Sequence, residues 1–178
     1  MKRIITLIIL VPCMTVISFA QDDGPTAEEM IADALTAAIP SIANDATVMD
    51  WEGNMLREGT NGWTCMPTPP DRAGPEAMCL DNEWIAWASA WQGHTEPPVP
   101  STIGFGYMLA GAGAESNTDP YAEGPTDDNE WMESQPPHIM LLVPDASALE
   151  GLPTAFGNGG PWVMWAGTSY VHVMIPTE

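Results

Sequence analysis

Two short runs near the C-terminus alternate in the manner of half-buried strands. They are PHIMLLVP, residues 137–144, and SYVHVMIP, residues 169–176. Successive strand side chains point to opposite faces. His138, Met140 and Leu142 therefore share one face, and Tyr170, His172 and Met174 share another. WVMW at 162–165 continues the strand signal, with Gly167 as a break before the last run. Upstream, TIGFGYMLAGAGA at 102–114 reads as a strand interrupted by glycines that permit close backbone approach. ATVMDW, NMLREG and GWTCMP, between residues 46 and 67, predict an antiparallel meander with a tight turn at Asn61-Gly62.

Two segments switch to helical spacing. In TAEEMIADALTAAIP, residues 26–40, Thr26 and Glu29 form a capping box. Met30, Ile31, Ala34, Leu35 and Ala38 make one apolar face, and Pro40 ends the helix. In CLDNEWIAWASAWQG, residues 79–93, Asp81 caps the start and Gly93 lies past the end. Trp84, Trp87 and Trp91 form an aromatic stripe along it. The default reading is a helix facing the core, and the alternative is a stacking platform for a flat ligand. Asp145 and Gly151 bracket a short capped helical turn in DASALEG. TEPPVPS, 95–101, is an extended loop, because its prolines cannot donate to a ladder.

The first twenty residues follow a different pattern. Lys2 and Arg3 precede an apolar core, and Ser18-Phe19-Ala20 places small residues at a signal-peptidase site. Cleavage before Gln21 is expected, leaving 158 of the 178 residues, a length that suits one domain. The expected division is a signal peptide at 1–20, an N-terminal helical segment at 21–44 and an α+β domain at 45–178. Removing the signal leaves Arg57 and Arg72 against 24 acidic residues, a formal charge of −22 with no lysine. Such a chain repels phosphate backbones and anionic lipid surfaces, so neither nucleic acid nor membrane is an expected partner after cleavage. Cys65 and Cys79 are the remaining cysteines. In an oxidising compartment, periplasmic or extracellular, they read as a disulfide. It closes a proline-rich loop of about 15 residues, worth about 3 kcal/mol in chain-entropy terms.

The candidate chemistry is sparse. If the two His-x-Met strands are neighbours, His138, Met140, His172 and Met174 converge as a soft donor set suited to Cu(I). The default for the same residues is core packing, with methionine filling irregular gaps and the histidines bonded to Tyr170, Thr168 or the acidic loop. A hydrolase reading takes His138 or His172 with Asp119, and Ser169 or Ser116 as nucleophile, although no nucleophile elbow or zinc-peptidase motif is present. The polar run ESNTDPYAEGPTDDNEWMES, 115–134, predicts a long loop with Asx turns at Asn117 and Asp119. Its carboxylates are a candidate calcium site, ranked below Cu(I), because their spacing is not that of a helix-loop-helix calcium motif.

GWTCMP through MCLD, SNTDPYA, PHIMLLVPD and GGPWVMWAGTSYVHVMIP together resemble a group of exported bacterial proteins with no assigned activity. The resemblance covers most of residues 60–176. It implies an exported single-domain bacterial protein and transfers no catalytic residue, cofactor or ligand. The expectation is a single α+β domain in which an antiparallel sheet packs against two principal helices, with one disulfide. Its leading functional reading is an acidic, exported, non-catalytic domain with a binding or structural role. Cu(I) binding is the first alternative and a small secreted hydrolase the second.

Overall fold

A computed structural model describes residues 24–178; the expected signal segment lies outside them. An eight-stranded sheet runs through the centre, with one principal helix on each face. The strands are β1 (Thr47–Met49), β2 (Met55–Arg57), β3 (Thr64–Met66), β4 (Met78–Leu80), β5 (Gly104–Met108), β8 (His138–Leu142), β9 (Trp162–Met164) and β10 (His172–Pro176). Their order across the sheet is β2-β1-β3-β4-β5-β8-β10-β9. β6 (Glu115–Ser116) and β7 (Trp131–Met132) form a separate two-stranded ribbon inside the long polar run.

The first helix, α1 (Ala27–Ala34), carries the expected capping box, with Thr26 and Glu29 bonding each other reciprocally. It tightens into a 3-10 turn at Leu35–Ala37. Pro40 both ends that run and opens the next short helix, α2 (Pro40–Ala43), because a proline at the first helical position lacks only an N–H that would be unpaired anyway. Ala34, Ala37, Ala43, Val48, Cys65 and Cys79 form one core cluster, so the N-terminal helical segment is built into the domain. The small alanines let α1 approach the sheet where the disulfide lies. Cys65 and Cys79 are directly opposed on β3 and β4 and are bridged.

The expected meander is corrected. β1 and β2 are antiparallel, but β3 pairs with β1 in parallel. Asp50 turns the chain into β2 by accepting from the backbone N–H groups of Glu52 and Asn54. The Asn61-Gly62 corner then carries the chain past the end of β1 instead of closing a hairpin. Thr47 N donates to Trp63 O at 2.9 Å, Thr60 N donates to Asp45 O at 2.8 Å, and Asn61 Nδ2 donates to Ile42 O at 2.7 Å. Gly62 takes φ +78° there.

The third helix, α3 (Asn82–Gln92), is capped by Asp81, whose side chain accepts from Trp84 N at 3.0 Å. Asp81 also accepts from Phe105 N, fixing the helix start to β5. α3 lies over the opposite sheet face from α1, and glycines permit its close approach. A Cβ on Gly104 would sit 2.9 Å from Glu83 Cβ, and one on Gly106 would sit 2.8 Å from Met140 Cε. Trp84 and Trp87 are buried in the main core with Leu80, Met140, Trp162 and Met174. A smaller cluster of Leu149, Val163 and Val173 covers the other face at the β8–β10–β9 end. Among the described residues, no helix is long and apolar enough to cross a membrane.

Candidate functional site

The α3 face of the sheet lines a partly open cavity of about 340 Å³. Both His-x-Met pairs open into it. β8 and β10 are antiparallel neighbours with Met140 opposite Met174, and His138, Met140, His172 and Met174 all line the cavity. Four further methionines join them: Met66, Met78, Met108 and Met164. The tryptophan stripe forms the opposing wall, completed by Trp165 after β9. Arg72, Glu76, Glu115 and Gln135 supply a polar region in the lining.

Both imidazoles are held in the same tautomer. His138 Nδ1 donates to Pro136 O at 2.7 Å, and His172 Nδ1 donates to Tyr170 O at 3.0 Å. A carbonyl only accepts, so the proton sits on Nδ1 and the Nε2 lone pair is free. Tyr170, one of the expected partners, serves His172 through its backbone carbonyl, whereas His138 bonds Pro136, which was not expected. His138 is fully buried and its Nε2 has no hydrogen-bond partner. Burial pushes the His138 pKa down, opposed by its bond to Pro136. Burial also pushes His172 down, to about 4, with a smaller contribution from the nearby His138. Both rings are therefore neutral, lone-pair donors near neutral pH. Anchoring of one ring nitrogen to a backbone carbonyl is the arrangement that orients metal-ligating histidines.

His172 sits among indoles. Its ring is edge-on to Trp84, Trp87 and Trp165 at centroid distances of 5.3, 5.5 and 5.0 Å. Trp91 Nε1 donates to Pro120 O, and Trp165 Nε1 donates to Ser116 O. The indole N–H groups of Trp84 and Trp87 are buried without partners. Among the described residues, the cavity lining thus carries three buried side-chain polar atoms without partners, two donors and one acceptor. Each such atom, if left alone, carries a desolvation cost of about 1–3 kcal/mol.

The polar part of the lining is a charge triad. Arg72 contacts Glu76 at 3.3 Å and Glu115 at 3.4 Å. Burial raises the pKa of both carboxyl groups, and the guanidinium opposes that rise. The other arginine, Arg57, donates to the carbonyls of Ala43 and Ala46 and belongs to the fold.

The hydrolase residues do not assemble. Asp119 Oδ1 accepts from Tyr121 N at 2.9 Å, as an Asx turn, and Asp119 is not among the residues lining the cavity. Ser116 Oγ accepts from the backbone N–H groups of Thr118 and Asp119. Ser169 is exposed. Neither histidine ring bonds a carboxylate or a hydroxyl among the described residues. The expected Asx turn at Asn117 is replaced by a buried hub: its side chain bonds Trp162, Glu130 and Thr154. Among the described residues, no three His, Cys, Asp or Glu side chains converge, in the acidic stretch or elsewhere.

Sequence reasoning missed Met66, Met78, Met108 and Met164. The signal was present, because each lies in a short strand-like run, but sheet order is needed to bring the runs together. Comparison with known proteins finds no matching family model, no similar curated protein and no similar solved structure.

Proposed function

We propose that the chain is an exported, non-catalytic binding domain whose ligand is Cu(I), held by the His-Met face of the cavity. One observation carries the reading. Met140 and Met174 are directly opposed on adjacent strands, His138 and His172 flank them in the lining of the same cavity, and the buried Nε2 of His138 has a free lone pair. Thioether sulfur with imidazole nitrogen favours a soft, monovalent ion over Zn²⁺ or Ca²⁺. Indole faces attract cations, so the tryptophan wall suits a positively charged guest. The apolar N-terminal segment and the disulfide support export to an oxidising compartment, periplasmic or extracellular. The acidic coat disfavours nucleic acid and anionic membranes as partners.

The test is anaerobic titration of the folded protein with Cu(I) against a colorimetric Cu(I) chelator, with tryptophan fluorescence followed in parallel. Retention of copper and quenching of the indoles are expected. Copper left entirely with a chelator of micromolar affinity would sink the reading.

A second reading rests on the unpaired indole N–H groups of Trp84 and Trp87 in a cavity of about 340 Å³. That volume suits a small neutral molecule bearing a carbonyl or ether acceptor. A thermal-shift screen of such compounds, with Trp87→Phe as control, separates the two readings. Stabilisation that persists when copper is chelated and disappears in the variant favours the organic ligand.

A further inference from the structure

The register of the sheet arranges the soft side chains in three rows. In the first, Met66 on β3 faces Met78 on β4, and Met108 on β5 faces His138 on β8. The β4–β5 register, fixed by Cys79 opposite Tyr107, extends to place Met78 beside Met108. In the second row Met140 faces Met174. In the third His172 faces Met164. Each histidine therefore has one methionine directly across the sheet and another two residues along its own strand, on the same face. Directly opposed residues have Cβ atoms about 4.5–5.5 Å apart, within reach of a shared ion.

The histidines themselves are staggered. His138 faces Pro176, four residues along β10 from His172. At about 3.4 Å per residue and about 4.8 Å between strands, their α-carbons lie on the order of 14 Å apart. Each ring is tied by its Nδ1 bond to its own strand, two residues earlier. A single ion between Met140 and Met174 would have to draw on two histidines offset to opposite ends of that pair.

We infer that the cavity holds two Cu(I) ions, one at His138, Met108 and Met140 and the other at His172, Met164 and Met174. The inference rests on the Cu(I) reading above. Each ion gains one nitrogen and two thioether sulfurs, and both sites lie on strands of one sheet. His138 Nε2, buried and unpaired, is the nitrogen donor available to the first site. His172, boxed by three indoles, supplies the second. Met66 and Met78 continue the first row toward the disulfide loop and give a soft ion a chain of transient ligands to that site.

The experiment is a stoichiometric titration of the metal-free, disulfide-intact protein with the acetonitrile complex of Cu(I), competed by bicinchoninate without oxygen. Two equivalents are expected. Met108→Leu with His138→Phe should lose one equivalent and keep the other. Met164→Leu with His172→Phe should do the same. Single Met→Leu changes conserve volume and keep the fold, and each should weaken one equivalent on the order of tenfold or more. X-ray absorption of the loaded protein should give two sulfurs and one nitrogen per copper. One equivalent at saturation with two nitrogens per copper, or loss of all binding in either pair of substitutions while far-UV circular dichroism is unchanged, overturns the two-ion arrangement and leaves Cu(I) binding standing. No uptake by the unmodified protein overturns both.

Discussion

Asn117 offers the sharpest test of how the cavity wall is held. It is 2 % exposed, yet its amide makes three bonds. Oδ1 accepts from Trp162 Nε1 at 3.0 Å, and Nδ2 donates to Thr154 O at 2.8 Å and to Glu130 Oε2 at 2.5 Å. Asn117→Ala keeps the backbone bonds to Glu130 and Trp165 but deletes all three side-chain bonds. Glu130 and Thr154 are exposed and can turn to water. Trp162 is 2 % exposed, so its indole N–H is left unpaired in the core. One orphaned donor costs about 1–3 kcal/mol, and the lost amide leaves a small void that adds to it. We expect a destabilisation of about 2–3 kcal/mol, seen as a fall in Tm of about 5–10 °C for a domain of this size. Urea unfolding followed by tryptophan fluorescence measures it. In a Trp162→Phe background, where no indole N–H remains to be orphaned, the same change should cost about 1 kcal/mol less. A loss below about 0.5 kcal/mol, or strict additivity of the two changes, would refute the hub.

Three further outcomes follow from the same contacts. His172 has a folded pKa of about 4 against an ordinary 6.5, so the metal-free native state takes up its proton later than the unfolded chain. The resulting stability is present above pH 6.5 and is lost as pH falls toward 4, by about 3 kcal/mol. Urea midpoints between pH 7 and 4 should therefore fall more steeply in the parent than in His172→Phe, and parallel slopes would contradict it. Arg72→Gln removes the charge that opposes the raised pKa of Glu76 and Glu115. Raised carboxyl pKa values cost stability as pH rises, so thermal melts should show the variant more damaged at pH 7.5 than at pH 4.5. Gly104→Ala should cost more than Gly106→Ala, because the first meets Glu83 Cβ, fixed to α3, and the second meets the movable tip of Met140. Overpacking typically costs about 1–3 kcal/mol, and chemical denaturation that ranks the pair in reverse would oppose this account.

The two principal helices were legible because their signals are local. Thr26 with Glu29, and Asp81 before the tryptophan stripe, fix helix starts within one turn of chain. The alternation around His138 and His172 identified two strands, and the pair of cysteines identified the bridge between β3 and β4. What the sequence withheld was non-local. Nothing within residues 46–67 reveals that β3 lies parallel to β1, since that depends on how the chain crosses the strand ends. Nothing near Met108 or Met164 reveals that each faces a histidine from a different part of the chain. Of the histidines' hydrogen-bond partners, Tyr170 was among those expected and Pro136 was not, for a related reason. A ring that bonds the carbonyl two residues earlier needs no distant side chain, so composition leaves no trace of it.

β10 is the last strand in chain order but an interior one, between β8 and β9. Until residues 172–176 arrive, β9 has no neighbour and β8 keeps an open side. A chain synthesised only as far as residue 171 therefore cannot close this half of the sheet. Truncation before His172 should yield a chain prone to edge-to-edge association, and a peptide carrying the missing strand should compete with that self-assembly.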